Sequence, residues 1–295
     1  MAEITASMVK DLRERSGAGM MDCKKALIEV EGDFDKAMNL LRERGIAKSA
    51  KRGGRVAKEG LISARISADG KTGVLVELNS ETDFVSRNDD FKAMSDKLAA
   101  QAVSLAAGAD FSASDMGGVT VAAAVEDIAA TIGEKIVLSR TARLDAAKGA
   151  VVSYIHPPGK IGVLVEFESE NAALAADTGF QEIGRMIAMH VAAIGPMCVR
   201  RDEVPAATLE NERGVYRNQT INEGKPEAMV EKIVEGRVNK YYAEVCLLEQ
   251  PFVQDDKKKV EQVVTEAGAK CGGLKLLRFV RFQLGETATA EEVAE

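Results

Sequence analysis

The sequence predicts an α+β protein: two related core lobes, a three-helix module ahead of them, and a helical hairpin inserted in the second lobe. Three observations carry this reading. Gly60 to Phe91 aligns without gaps on Gly149 to Phe180, at a constant offset of 89. The first forty-five residues carry apolar positions at helical spacing. Residues 206–246 keep helical spacing but are polar around most of their surface.

In the N-terminal module, residues 1–47, Thr5 is placed to cap a helix with Met8, Val9 and Leu12 on one face. Ser16-Gly17-Ala18-Gly19 stops it. Asp22 precedes a second helix carrying Cys23, Ala26, Leu27 and Val30, and Gly32-Asp33 restarts a third with Phe34, Ala37, Met38 and Leu41, ended by Gly45. Residues 48–59 are basic and Gly-rich without periodicity, which predicts a linker. No aromatic interleaves the basic residues to stack on a base, so a solvated linker is favoured over a nucleic-acid arm.

Each copy of the repeat predicts the same order: a β-run, a Gly-Lys turn (Gly70-Lys71, Gly159-Lys160), the strand Gly-Val-Leu-Val-Glu, and a helix over 91–107 or 180–193. A run over 135–144 completes lobe one (60–147). Runs over 247–253 and 274–284 do so for lobe two (148–284). The hairpin, about 205–246, turns at Gly224-Lys225-Pro226, and its second helix aligns Val230, Val234, Val238, Tyr241 and Val245 as a coiled-coil-like seam. It serves either as a partner or dimer contact or as a stabilising appendage. Residues 285–295 form a short acidic tail.

The 295 residues are 46% apolar and 29% charged with a net charge of −7, an ordinary globular composition. That charge argues against non-specific nucleic-acid binding, which draws on Lys and Arg. Residues 1–60 nonetheless hold 13 Lys+Arg against 10 Asp+Glu, a mildly basic head on an acidic body. No run reaches the roughly 18 to 20 apolar residues of a membrane span, and Met1 to Lys10 lacks a signal pattern, so the cytoplasm is the expected compartment. Four scattered cysteines and two histidines offer no metal-ligand spacing. Neither a G-x-x-x-x-G-K-[ST] loop nor a G-x-S-x-G elbow occurs, and Gly17-Ala18-Gly19 reads as a tight interhelical turn. An enzyme is thus left open but without a supporting motif, and neither a cofactor nor a metal is expected.

The repeat isolates one addition. Thr82-Asp83-Phe84-Val85 corresponds to Asn171-Ala172-Ala173-Leu174. Val85 and Leu174 read as shared core, whereas Asp83 and Phe84 face two alanines. Phe84 either fills a gap peculiar to lobe one or is displayed as a partner anchor. His190 faces Gln101 in the first copy, and is either a half-buried helix histidine or a partner contact.

The segments VKDLRERSGAGMMDCKKAL (Val9 to Leu27), NSETDFV (Asn79 to Val85), IAMHVAA (Ile187 to Ala193) and GKPEAMVEKIVEGRVNKYYAEVCLLEQPFV (Gly224 to Val253) together resemble the bacterial translation elongation factor Ts family. The likeness runs from residue 1 to about 284. It implies a guanine-nucleotide exchange factor for elongation factor Tu, with a ubiquitin-associated-like N-terminal module. By resemblance, Thr82, Asp83, Phe84 and Val85 contact the GTPase domain of Tu, where Asp83 and Phe84 dislodge the nucleotide's Mg²⁺. Arg13, Met20 and Met21 touch the same domain, and His190 meets a further domain of Tu. The resemblance also allows the hairpin either to self-associate into a homodimer or to reach Tu. A scaffold built on a hairpin-mediated dimer, and a small-molecule enzyme with a site between the lobes, are the competing readings.

Overall fold

The computed structural model describes residues 4–16, 18, 20–52 and 55–287. It is a mixed helix-and-sheet chain, and its residues cluster into two compact units. The first comprises Met1–Ser63, Val76–Thr141 and Gln283–Glu295, the second Ala64–Leu75 and Ala142–Phe282.

Three helices open the first unit: α1 (Ala6–Ser16), α2 (Met20–Glu29) and α3 (Phe34–Arg52). Thr5 Oγ1 accepts the Met8 N–H at 3.2 Å, so the predicted cap forms, and Asp33 Oδ1 accepts that of Lys36 at 3.0 Å at the expected restart; α2, however, begins at Met20, so Asp22 lies within its first turn rather than ahead of it. Val9, Leu12, Cys23, Ala26, Leu27, Ala37 and Leu41 close a core of their own. Gly17 and Gly19 of the predicted turn lie outside the described residues. The expected stop at Gly45 is corrected, because α3 runs on through the first part of the predicted linker. Ala47, Lys48, Ala50, Lys51 and Arg52 are good helix formers, and one Gly costs only about 1 kcal/mol against Ala.

β1 (Glu59–Ile66), β2 (Thr72–Ser80) and β3 (Ile136–Asp145) form the first sheet in the order β1-β2-β3. Between β2 and β3 the chain makes α4 (Asp83–Ser86), α5 (Asp89–Ser104) and α6 (Val121–Ile132). Asn88 caps α5 by accepting from the N–H groups of Asp90 and Phe91. α6, absent from the sequence expectations, is bounded by the Thr120 cap and the left-handed Gly133, and it packs against α3 and α5.

In the second unit β4 (Ala150–His156) pairs antiparallel with β5 (Ile161–Glu168), Ala150 opposite Phe167 and His156 opposite Ile161. α7 (Thr178–Ile194) covers this sheet, burying Phe180, Ile187, Ala188 and Val191. The hairpin follows as α8 (Ala206–Asn222) and α9 (Glu227–Val245), packed against each other. Val230, Val234 and Val238 are buried between them, with Tyr216 and Tyr242 alongside. Arg217–Glu231, Arg213–Glu235 and Glu223–Arg237 ion pairs border that seam. The expected strand over 247–253 is corrected: it is a 3-10 turn (Leu247–Glu249) and the short β6 (Pro251–Phe252), which pairs with β7 (Asp255–Lys259) in a separate ribbon. α10 (Val260–Cys271) then leads to β8 (Lys275–Gln283), which completes the second sheet as β4-β5-β8.

The repeat extends to contacts. Gly60 and Gly149 have φ of 137° and 99°, and a Cβ on either would sit 2.1 Å from a carbonyl oxygen, of Leu78 or of Phe167, themselves 89 apart. Ser95 on α5 donates its hydroxyl to Ser63 of β1 at 2.9 Å. At the matching positions Gly184 of α7 lies against Val152 of β4, leaving no room for a Cβ. Each lobe also buries a strand carboxylate against an arginine of its third strand: Glu77 with Arg140, Glu166 with Arg278. Glu77 further accepts the Gly285 N–H at 3.0 Å, and Arg140 donates to the Gln283 carbonyl at 2.9 Å and to Glu286 at 3.0 Å. The start of the predicted acidic tail is thereby fixed; residues 288–295 lie outside the described residues.

Candidate functional site: a displayed phenylalanine in the first unit

β2 ends on three buried polar residues, Glu77, Asn79 and Ser80, and the chain then turns outward. α4 is a single helical turn, and two of its neighbouring side chains point in opposite directions. Val85 is buried, as Leu174 is at the equivalent place in the second unit. Phe84 is 76% exposed, which removes the gap-filling alternative and leaves the displayed one. Its counterpart Ala173 is exposed too, so the fold places this position in water in both lobes.

The surroundings of Phe84 are charged. Asp83 forms an ion pair with Arg87 at 2.8 Å, and Ser86 donates its hydroxyl to the Asp83 carbonyl at 2.7 Å. Thr82 is half-buried, its hydroxyl donating to Glu134 at 2.7 Å. Glu134 was not among the expected residues; its only sequence signal is that it follows the capping Gly133. An aromatic ring in water just past the end of β2, with charged Asp83, Arg87 and Asp89 close to it in the chain, suits insertion into an apolar slot with a polar rim.

Arg13 is exposed on α1, and Met20 and Met21 are exposed at the start of α2, in the same unit as Phe84. The flanking Cys23, Ala26 and Leu27 face inward, so α2 separates its core face from an apolar outer end.

His190 belongs to the second unit, and of its two readings the structure favours the helix histidine with an internal partner over the surface contact, with burial complete rather than half. It is fully buried on α7. Nδ1 accepts the Val253 N–H at 3.2 Å, which leaves Nε2 as the protonated nitrogen facing Gln250 Oε1 at 2.8 Å. The ring stacks on Phe252 at 5.9 Å between centroids. Burial pushes its pKa below the usual value, against the opposing hydrogen bond with Gln250. His190 is a neutral internal brace for residues 250–253, and the residue it brings to the surface is Val253, 48% exposed. What no local pattern marked is the identity of its partners, which come 60 and 63 residues later.

Among the described residues no group of three or more His, Cys, Asp or Glu is placed to hold a metal, and no helix is long and apolar enough to cross a membrane. The four cysteines are buried and unbridged. Burial raises the Cys198 thiol, and burial together with the hydrogen bond shared with Cys198 pushes Cys246 up to about 12, so neither is a poised nucleophile.

The family model described as elongation factor TS matches residues 81–286, which begin one residue before Thr82. Elongation factor Ts of Nitratidesulfovibrio vulgaris strain DP4 is 50% identical over 294 residues, covering 99% of each chain. That of Methylobacterium nodulans is 47% identical over 302 residues, covering 99% of this chain and 95% of its own. That of Clostridium botulinum strain Alaska E43 is 44% identical over 306 residues, covering 99% and 98%. The chain belongs to the elongation factor Ts family.

Proposed function

We propose that this chain is a guanine-nucleotide exchange factor that binds elongation factor Tu carrying GDP and promotes GDP release in translation elongation. The observation that supports it most directly is the exposed Phe84 on the α4 turn, within the family's motif. GDP with Mg²⁺ is held through metal bridging to phosphate oxygens and through main-chain amides. Phe84 and Asp83 push between helices of the GTPase domain and displace that metal, while Thr82 and Val85 hold the turn. Arg13, Met20 and Met21 add a second contact to the same domain, and Val253, braced by His190, takes part in the contact with a further domain.

Exchange-factor binding and nucleotide binding must weaken each other by the same factor, typically about 5- to 150-fold. No substrate bond breaks and the factor leaves unchanged, so it acts by binding rather than as an enzyme. The test mixes the chain with Tu loaded with fluorescent GDP and times release. Release no faster than the spontaneous rate rejects the proposal.

A second role, self-association through the hairpin into a homodimer or scaffold, draws support from Val215, Ile221 and Met229, apolar residues left exposed on α8 and α9. Light scattering before and after deleting the hairpin decides it; an unchanged mass removes this role.

A further inference from the structure

The turn that carries Phe84 is gripped by two carboxylates, each reaching across to the other's chain segment. Glu134 Oε2 accepts the Thr82 N–H at 3.0 Å, and its Oε1 accepts the Thr82 hydroxyl at 2.7 Å. In return Glu81 Oε1 accepts the Lys135 N–H at 2.5 Å. One guanidinium nitrogen of Arg55 reaches both Glu81 oxygens, at 3.1 and 3.2 Å, while the Arg55 carbonyl accepts Lys135 Nζ at 2.7 Å. The Thr82 carbonyl takes the Ser80 hydroxyl at 3.0 Å. All three polar groups of Thr82 are engaged. A threonine at a helix N-cap ordinarily accepts from the helix's own amides. Here it makes no such cap bond, and its hydroxyl goes to Glu134 instead.

The second copy shows what the fold needs without a displayed aromatic. There Ser169 donates to the Gly273 carbonyl at 2.6 Å and Asn171 Nδ2 to the Cys271 carbonyl at 3.0 Å. Gly272 closes α10 as Gly133 closes α6, and the residue that follows is Gly273 where the first copy has Glu134. Glu170, the counterpart of Glu81, pairs outward with Lys148. Main-chain carbonyls together with Ser169 and Asn171, whose Oδ1 accepts the Ala173 N–H at 3.0 Å, suffice to hold Ala172-Ala173 without a carboxylate. The double carboxylate grip accompanies the turn that carries Asp83-Phe84.

From this contrast we infer that Glu134 is a positioning residue of the exchange surface: with Glu81 it fixes the Thr82 turn so that Phe84 is presented in one orientation before the partner arrives. The inference rests on the exchange reading above. An exposed aromatic on a loose turn must be ordered at docking, and that ordering subtracts from affinity.

Two measurements on Glu134→Ala, Glu134→Gln and Thr82→Val test it. In the chain alone, Glu134→Ala is expected to speed amide hydrogen exchange of residues 82–86 by at least about tenfold while α5 and the N-terminal helices keep their protection. With GDP-loaded Tu, the second-order rate constant for release is expected to fall about tenfold, recovering toward the unmodified maximum at saturating factor. Glu134→Gln keeps one acceptor for Thr82 and should fall between. Unchanged amide exchange at 82–86 in Glu134→Ala overturns the inference, as does a loss of protection spread evenly over the whole first unit. If Glu134→Ala does not fold, Thr82→Val, which removes only the hydroxyl contact, is read the same way, and wild-type release in it overturns the inference. Should the unmodified chain fail to accelerate release, the exchange reading falls alone, and amide exchange still decides whether the grip orders the turn.

Discussion

Truncating Phe84 to alanine separates folding from function, because the side chain is mostly in water before any partner binds. Full burial of a Phe is worth roughly 1.5 to 3 kcal/mol. With the residue 76% exposed, the quarter already covered bounds the folding loss of Phe84→Ala at about 0.7 kcal/mol. The exposed remainder, if buried in the exchange complex, contributes roughly 1.1 to 2.3 kcal/mol, or about 7- to 50-fold in the rate constant for GDP release. The assay pairs a urea titration of the free chain with stopped-flow release of fluorescent GDP from Tu. Phe91→Ala is the control: Phe91 is fully buried on α5, and its loss should cost about 3 to 5 kcal/mol of stability. A Phe84→Ala variant that loses stability like the control, or that releases GDP at the unmodified rate, refutes the reasoning.

Three further outcomes are expected. Because burial lowers the folded pKa of His190, the unfolded chain takes up its proton first. Stability should therefore be flat above about pH 7.5 and fall as pH drops through about 6.5, with a slope of at most about 1.4 kcal/mol per pH unit. Replacing it by Gln, the residue at position 101 of the other lobe, should flatten that fall in acid-range denaturant titrations. Gly214 and Gly236 sit inside α8 and α9 with open space where a Cβ would go, so Gly214→Ala and Gly236→Ala should each add about 0.5 to 1 kcal/mol. Gly149→Ala, whose Cβ would strike the Phe167 carbonyl oxygen, should instead lower the melting temperature by several degrees or more. Cys246, with its thiol pushed up to about 12, should alkylate at pH 8 about 10³-fold more slowly than in the urea-unfolded chain, as followed by mass spectrometry.

The features legible in sequence were those fixed by periodicity and by repetition. The spacing of Val230, Val234 and Val238 announced a seam, and these side chains are buried between two helices. The offset of 89 matched Val85 to Leu174 and Phe91 to Phe180, and all four are core. It also singled out Phe84. What escaped depended on partners remote in the chain. Glu134 matters through Thr82, 52 residues away, and no local pattern marks a carboxylate as a receiver of main-chain donors. His190 is satisfied by Gln250 and Val253, which only the completed fold brings to it. The stretch after Gly45 lacks apolar periodicity, yet its alanines and lysines are good helix formers and α3 continues to Arg52. The run over 247–253 has strand composition but finds its pairing in the short ribbon with β7 rather than in the main sheet.

The buried Glu77 has a consequence for how the chain is made. One of its oxygens receives the N–H of Gly285, a residue 208 positions later. At about 5 to 20 residues per second, the ribosome needs roughly 10 to 40 s to lay down that interval. Throughout it the nascent first unit holds a carboxylate whose last donor has not yet been synthesised. The hydrogen bond from Gly285 to Glu77 can therefore form only after β8 has been made, which ties completion of the first unit to residues synthesised after the whole of the second.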